Sequence, residues 1–143
     1  MIMKICFVCY GNICRSVMAE YILKEEAKRR GREDVSCFSR AQDDHTEGMD
    51  IYYAAKECLE DHGIPYGRHK AKMFTETDYE EADIVYVMDE HNKRGLGRTV
   101  TDREKKIRKL LDRDVADPWY TRDFEKTYRD LLEGIERILE ETV

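Results

Sequence analysis

Ile5-Cys6-Phe7-Val8-Cys9-Tyr10-Gly11-Asn12-Ile13-Cys14-Arg15-Ser16 is the stretch on which the reading of this chain turns. Lys4–Val8 is a short apolar run that ends at a Gly-Asn turn, the pattern of a buried strand. After the turn, Val17, Met18, Tyr21, Ile22 and Ala27 recur at helical spacing, with Ser16 available as N-cap and Glu20 near the first turn. The loop between strand and helix carries Cys9 and, six positions on, Arg15. A loop that ends at a helix N-terminus turns backbone N–H groups inward and adds the positive end of the helix dipole, which makes an anion site. Gly11 is expected to supply torsions closed to other residues, and Asn12 tolerates the left-handed region. Arg15 offers a planar fork for two phosphoryl oxygens. The same positive field favours the thiolate of Cys9, a nucleophile aimed at whatever anion the loop holds.

The rest of the chain extends this strand–loop–helix start into an alternation. Val35–Ser39, Ile84–Met88 and Ile107–Leu111 read as further strands, Ile84–Met88 being apolar throughout as a parallel strand covered on both faces should be. Ile51, Ala54, Ala55, Cys58 and Leu59 form a helical stripe stopped by Gly63. A closing helix places Phe124, Tyr128, Leu131, Leu132, Ile135, Ile138 and Leu139 on one face. Strands alternating with helices predict an α/β fold with an open, mainly parallel sheet covered on both sides. Ligands of such folds bind beyond the C-terminal ends of the strands, where Cys9 lies.

With 143 residues, 41% of them hydrophobic, and with no repeat or Pro/Gly/Ser linker, the sequence is expected to form a single domain over 1–143. It has no run of about 20 apolar residues to cross a membrane. The apolar start lacks the basic lead and cleavage site of a secretion signal. A net charge of −6 argues against a nucleic-acid partner. The basic residues between Lys93 and Arg113 are interrupted by acidic ones and read as a solvated face. Five cysteines (6, 9, 14, 37 and 58) without a secretion signal point to reduced thiols and a cytoplasmic location.

Phosphoryl transfer to a cysteine also needs an acid for the leaving oxygen. Asp117-Pro118-Trp119-Tyr120 supplies a candidate: Pro118 restrains the backbone beside Asp117, and Trp119 and Tyr120 are suited to wall a slot for a flat aryl phosphate. With these pieces the chain resembles the low-molecular-weight protein tyrosine phosphatase family over nearly its whole length. The resemblance rests on Val8-Cys9-x-Gly11-Asn12-Ile13-Cys14-Arg15-Ser16 and Asp117-Pro118-Trp119-Tyr120, with His69-Lys70-Ala71-Lys72 and Met88-Asp89-x-x-Asn92 between them.

The resemblance implies a three-layer α/β/α fold, with a four-stranded parallel sheet of order 2-1-3-4 and a phosphate-binding loop after the first strand. It implies Cys9 as nucleophile, Arg15 as phosphate holder and Asp117 as acid and then base toward water. Tyr10, Gly11, Asn12, Ile13, Cys14 and Ser16 would line or form the phosphate site, with Trp119 and Tyr120 beside it. Asn12, Ser16, Ser39 and His69 would hold the loop in shape. No metal and no cofactor are expected. The implied partners are phosphotyrosine proteins as substrates and inorganic phosphate as product, the enzyme acting as a monomer. Cys14, whose plain role is packing under the loop, is implied as a disulfide partner that could protect Cys9 from overoxidation.

The departures are as informative. Val17 stands where the family usually has Pro. Ser39-Arg40-Ala41-Gln42 stands where it often has Ser-Ala-Gly-Thr, and the aromatic that should follow is not evident, His45 falling near its place. Arsenate reductases of this fold need further cysteines after the third strand, and Asp89–Gly95 contains none. Phosphoarginine phosphatases carry Thr at the position of Ile13, so an apolar Ile13 favours phosphotyrosine. A phosphate-binding module without catalysis would need neither Cys9 nor Asp117. Cys6-x-x-Cys9 could suggest metal or redox chemistry, but Cys6 is expected to face the core, and His45, His62, His69 and His91 form no ligand-spaced cluster with it.

Overall fold

The computed structural model describes residues 1–141. Its first unit is the one anticipated: β1 (Met3–Cys9), then the loop, then α1 (Arg15–Arg29). There follow β2 (Val35–Ala41), α2 (Tyr53–Asp61), α3 (Glu76–Glu81), β3 (Ile84–Val87), α4 (Glu90–Leu96), β4 (Ile107–Lys109), α5 (Pro118–Thr121) and α6 (Phe124–Glu141). The four strands form one sheet in the order β2-β1-β3-β4, with every neighbouring pair parallel. β1 is therefore internal, with Cys9 opposite Ala41 on β2 and Val8 opposite Val87 on β3.

Alternation along β1 divides the interior into two cores. Ile5, Phe7 and Cys9 join a cluster with Val17, Ile22 and Leu23 of α1, Ala55 and Leu59 of α2, and Leu131, Ile135 and Ile138 of α6. Cys6 and Val8 face the other way, into Val85 and Val87 of β3, Tyr79 of α3 and Leu96 of α4. Cys6 is thus a buried core thiol, on the opposite sheet face from Cys9. β3 is less evenly covered than its composition suggests: Val85 and Val87 are buried, while Ile84 and Tyr86 are only partly so.

Two short helices, α3 and α4, escaped the periodicity argument because neither spans enough turns to show a stripe. Each begins with a reciprocal capping box, Thr75 with Asp78 and Asp89 with Asn92, in which a side chain at each end satisfies a backbone N–H of the other. The basic stretch is a solvated, ion-paired surface as expected: Arg103 meets Glu76 at 2.6 Å and Lys109 meets Asp114 at 2.7 Å. α6 closes the first core so tightly that a Cβ on Gly134 would lie 2.5 Å from Leu110 Cγ. The segments after β1, β2 and β3, and the 110–121 region after β4, converge beyond the C-terminal edge of the sheet.

Candidate active site

The loop is held from behind by one residue. Asn12 sits in the left-handed region at φ 57° and is completely buried. Its carbonyl accepts from His69 Nε2 at 2.7 Å, and its Oδ1 accepts from the Lys72 amide at 3.2 Å. Its Nδ2 donates to Ser16 Oγ at 2.8 Å and to Ser39 Oγ at 3.0 Å. Ser39 spends its own proton on Glu20 Oε1 at 2.6 Å, so toward Asn12 it can only accept. Ser16 likewise accepts from Asn12, and with Cys9 as the thiol it also accepts from Sγ at 3.1 Å, its own proton being free to turn to the sulfur once that is ionised. When Cys9 is a thiolate, this chain and the Asn12 amide at 3.3 Å both donate to it.

Asn12, Ser16, Ser39 and His69, expected as loop supports, are thus brought together. Two expectations about the loop need correction. Ser16 does not cap α1: the N-cap is Cys14, with no side-chain cap bond, and Ser16 is turned instead into the thiol network. A helix start left uncapped by side chains keeps its N–H groups for an anion. Gly11, in turn, is not among the left-handed residues. Its lack of a side chain matters for contact, since a Cβ there would lie 3.1 Å from Thr46 Oγ1, the hydroxyl that donates to the Gly11 carbonyl at 2.6 Å. Glu20, read only as a first-turn residue, is the missed anchor of the network. It also pairs with Lys24 at 2.6 Å.

Arg15 is only 2% exposed and has three acceptors. Nη1 donates to Asp89 Oδ2 at 2.7 Å and to the Val115 carbonyl at 2.9 Å, and Nη2 reaches Asp117 Oδ2 at 3.3 Å. Burial opposes its charge, but Cys9, Asp117 and Asp89 outweigh it and hold the guanidinium protonated more firmly than usual. Asp89 is divided between two tasks: Oδ1 accepts from the Asn92 amide at 2.7 Å to cap α4, and Oδ2 holds Arg15. Met88-Asp89-x-x-Asn92 is therefore a helix cap that also aims the arginine. Asp117 is divided in the same way, Oδ1 accepting from the Trp119 amide at 3.0 Å at the start of α5.

A cavity of about 250 Å³ opens at this point. Cys9, Tyr10, Gly11, Ile13, Cys14 and Arg15 line it from the loop, and Asp117, Trp119 and Tyr120 from the α5 segment. Asn12 and Ser16 are not in the lining; their side chains work behind it. The wall left undefined by the sequence comes from His45, Thr46 and Met49. His45 tilts against Tyr10 with ring centroids 4.6 Å apart. Arg40 and Gln42, the unusual residues just before, look elsewhere. Arg40 pairs with Asp78 at 3.1 Å, while Gln42 accepts from Asn92 Nδ2 at 2.9 Å, packed against Gly95. On the other side Tyr52 meets Trp119 edge-on at 5.0 Å and accepts from Arg122 Nη2 at 2.8 Å.

Cys14 shares the cavity lining with Cys9, but burial pushes its thiol far up, and the neighbouring Cys9 adds to that. It is a poor nucleophile at neutral pH. All five cysteines are free thiols. The arrangement brings a thiol, a buried cation and a carboxyl together in one pocket above a helix start, as a covalent phosphoryl transfer requires.

Comparison with known proteins agrees with this geometry. The family profile described as low molecular weight phosphotyrosine protein phosphatase matches residues 4–143. A curated relative, the low molecular weight protein-tyrosine-phosphatase PtpA of Staphylococcus aureus, is 30% identical over 95% of this chain and 91% of the relative. Among solved structures, the low molecular weight protein tyrosine phosphatase SP-PTP of Streptococcus pyogenes superposes with a TM-score of 0.92 at 33% identity, covering 99% of this chain and 94% of that one. DARP, a drosophila arginine phosphatase, gives 0.89 at 27% identity over 98% of both chains.

Proposed function

The chain belongs to the low molecular weight phosphotyrosine protein phosphatase family, and from that premise we propose that it hydrolyses phosphotyrosine in protein substrates through a phosphorylated Cys9. The observation that carries the reading is the convergence of Cys9, Arg15 and Asp117 on one cavity. In the first step the Cys9 thiolate attacks phosphorus; the S–P bond forms as the P–O bond to the tyrosyl oxygen breaks, and Asp117 gives that oxygen its proton. In the second, water attacks the phosphocysteine, Asp117 takes the water's proton, and inorganic phosphate leaves with Cys9 restored. Arg15 and the loop N–H groups hold the equatorial oxygens in both steps.

The slot suits a flat aryl group. Tyr10, Trp119 and Tyr120 offer ring surface, and Ile13, in contact with Cys14 and Ala71, gives the loop an apolar rim. Phosphoprotein substrates, action as a single-domain monomer over 1–143 and a cytoplasmic setting complete the reading. The last is supported by the five reduced thiols.

The test sets phosphotyrosine, phosphoarginine and phosphoserine peptides, and arsenate with a thiol reductant, before one preparation. Phosphotyrosine should be turned over fastest. A phosphoarginine preference would keep the site and overturn the substrate, and no turnover of any of them would leave only a binding module. Cys9→Ser should abolish turnover while phosphate still binds. Asp117→Ala should slow a poor leaving group far more than nitrophenolate; equal slowing would remove Asp117 as the acid.

A further inference from the structure

A second cluster with chemistry lies outside the phosphatase pocket, where the end of α2 meets the start of α6. Cys58 and His62 are four residues apart, and the helical turn continues to His62, whose amide bonds back to the Cys58 carbonyl at 3.3 Å. Residues at this spacing share a helix face. Glu125, in the first turn of α6, brings both carboxylate oxygens to His62 Nε2, at 2.9 and 2.7 Å. Cys58 Sγ, His62 Nε2 and a Glu125 oxygen all lie within 4.8 Å of one another. The imidazole is fixed in orientation by stacking on Tyr128 at 3.7 Å and 9°. Among the described residues, the Cys58 thiol has a single long contact, 3.6 Å to the Phe124 carbonyl.

From this juxtaposition we infer that Cys58, His62 and Glu125 form a binding site for a thiophilic divalent cation of the Zn2+ class. One sulfur, one imidazole nitrogen and one carboxylate oxygen are borderline-soft donors that exclude Mg2+ and Ca2+, which take oxygen alone. Tetrahedral bonds to zinc put ligand atoms about 3.3–3.5 Å apart, so the sulfur must close by at most about 1.5 Å and the His62–Glu125 pair open by about 0.5 Å. Water fills the fourth position. Binding releases one proton to solvent as the Cys58 S–H is replaced by S–Zn, while His62 shifts its N–H from Nε2 to Nδ1. The competing His62–Glu125 hydrogen bond is partly exposed and offers little resistance.

The ion would tie two elements that frame the active site. Phe124, next to Glu125, stacks on Tyr52 at 6.0 Å, and Tyr52 meets Trp119 in the pocket wall. The site is distinct from the catalytic thiol and needs no assumption about the reaction.

The experiment uses the Cys9→Ser chain, so that the catalytic sulfur cannot bind metal, and titrates Co2+ as a spectroscopic probe. One Co2+ per chain should bind with a thiolate charge-transfer band, and Zn2+ should displace it. Adding Cys58→Ser should remove the band. His62→Gln and Glu125→Gln, at partly exposed positions, should each weaken binding about tenfold or more. Zn2+ at about a hundred times its Kd should raise the unfolding midpoint by about 5–10 °C, and His62→Gln should lose that rise. A band that persists in Cys58→Ser, or no saturable binding up to about 1 mM Co2+, overturns the site.

Discussion

Asp89→Asn separates the two tasks of one carboxylate. Asparagine is as good an N-cap as aspartate, so the Asn92 amide keeps its acceptor and α4 its start. The change falls on the other oxygen, where an NH2 group now faces Arg15 Nη1 at what was a 2.7 Å ion pair. Breaking a buried pair by one partner costs about 3–5 kcal/mol, and a charge-assisted hydrogen bond contributes about 1.5–3 kcal/mol. Two features pull the figure down: Asp89 is 18% exposed, and Arg15 keeps Val115 and Asp117. The expected loss is about 2 kcal/mol, read as a fall of about 1 M in the urea midpoint with an unchanged slope. Because Nη1 loses the tether that aims the guanidinium, kcat/KM for an aryl phosphate should fall about 10- to 100-fold. Asp89→Ala removes the cap as well and should cost about 1 kcal/mol more. If Asp89→Asn unfolds at the wild-type midpoint, or the two variants are equally stable, the division of labour argued for Asp89 is wrong.

Three further outcomes follow from the packing and the buried thiols. Gly134→Ala gains about 1 kcal/mol of helix propensity but drives its Cβ into Leu110, at an overpacking cost of about 1–3 kcal/mol. Thermal unfolding should show net destabilisation, relieved by Leu110→Ala; a more stable single variant would refute the contact. Burial raises the thiols of Cys6, Cys14 and Cys37, the last to about 12, so folding holds their protons where the unfolded chain releases them. Stability should therefore decline as pH rises above the unfolded thiol value of about 8.5, by up to about 1.4 kcal/mol per thiol per pH unit, and Cys37→Ala should flatten that decline in urea titrations at pH 8 to 10. In Gly11→Ala, strain from the Thr46 hydroxyl should raise KM for aryl phosphates and be rescued by Thr46→Ala; if the torsion were the issue, the second change would not help.

What could be read in advance divides along physical lines. β1, β3, α1, α2 and α6 each bury a long enough apolar set for periodicity to show, so their order and the parallel sheet followed. α3 and α4 are too short for a stripe, and their capping boxes carry Asp78 and Asn92 where Glu or Gln is usual, so they emerge only in the fold. Cys9, Arg15 and Asp117 announced themselves by residue type and by position after strands. Thr46 did not, because its role depends on meeting Gly11 across 35 residues. Glu20 was hidden for a similar reason: on α1 it looks like one more charged residue, and only the arrival of Ser39 on β2 makes it an anchor. Cys58-x-x-x-His62 is visible in the sequence, but Glu125 joins it only once α6 packs.

The partners of Arg15 are unequal, and the inequality bears on the reaction. Nη1 is fully engaged by Asp89 at 2.7 Å and the Val115 carbonyl at 2.9 Å, both part of the scaffold. Nη2 has only Asp117, at the longer distance of 3.3 Å, on a segment that starts a four-residue helix. On the proposed reaction, an arriving phosphoryl group meets a guanidinium whose one edge is pinned and whose other edge is held loosely, and it can take that second edge without disturbing the first. Asp117 then gives up its 3.3 Å contact to Nη2. The backbone tie from Trp119 to Oδ1 keeps the carboxyl at the cavity while its other oxygen is released. On the proposed reaction, the same guanidinium holds the phosphoryl group through Nη2 while Asp89 and Val115 keep Nη1 in place.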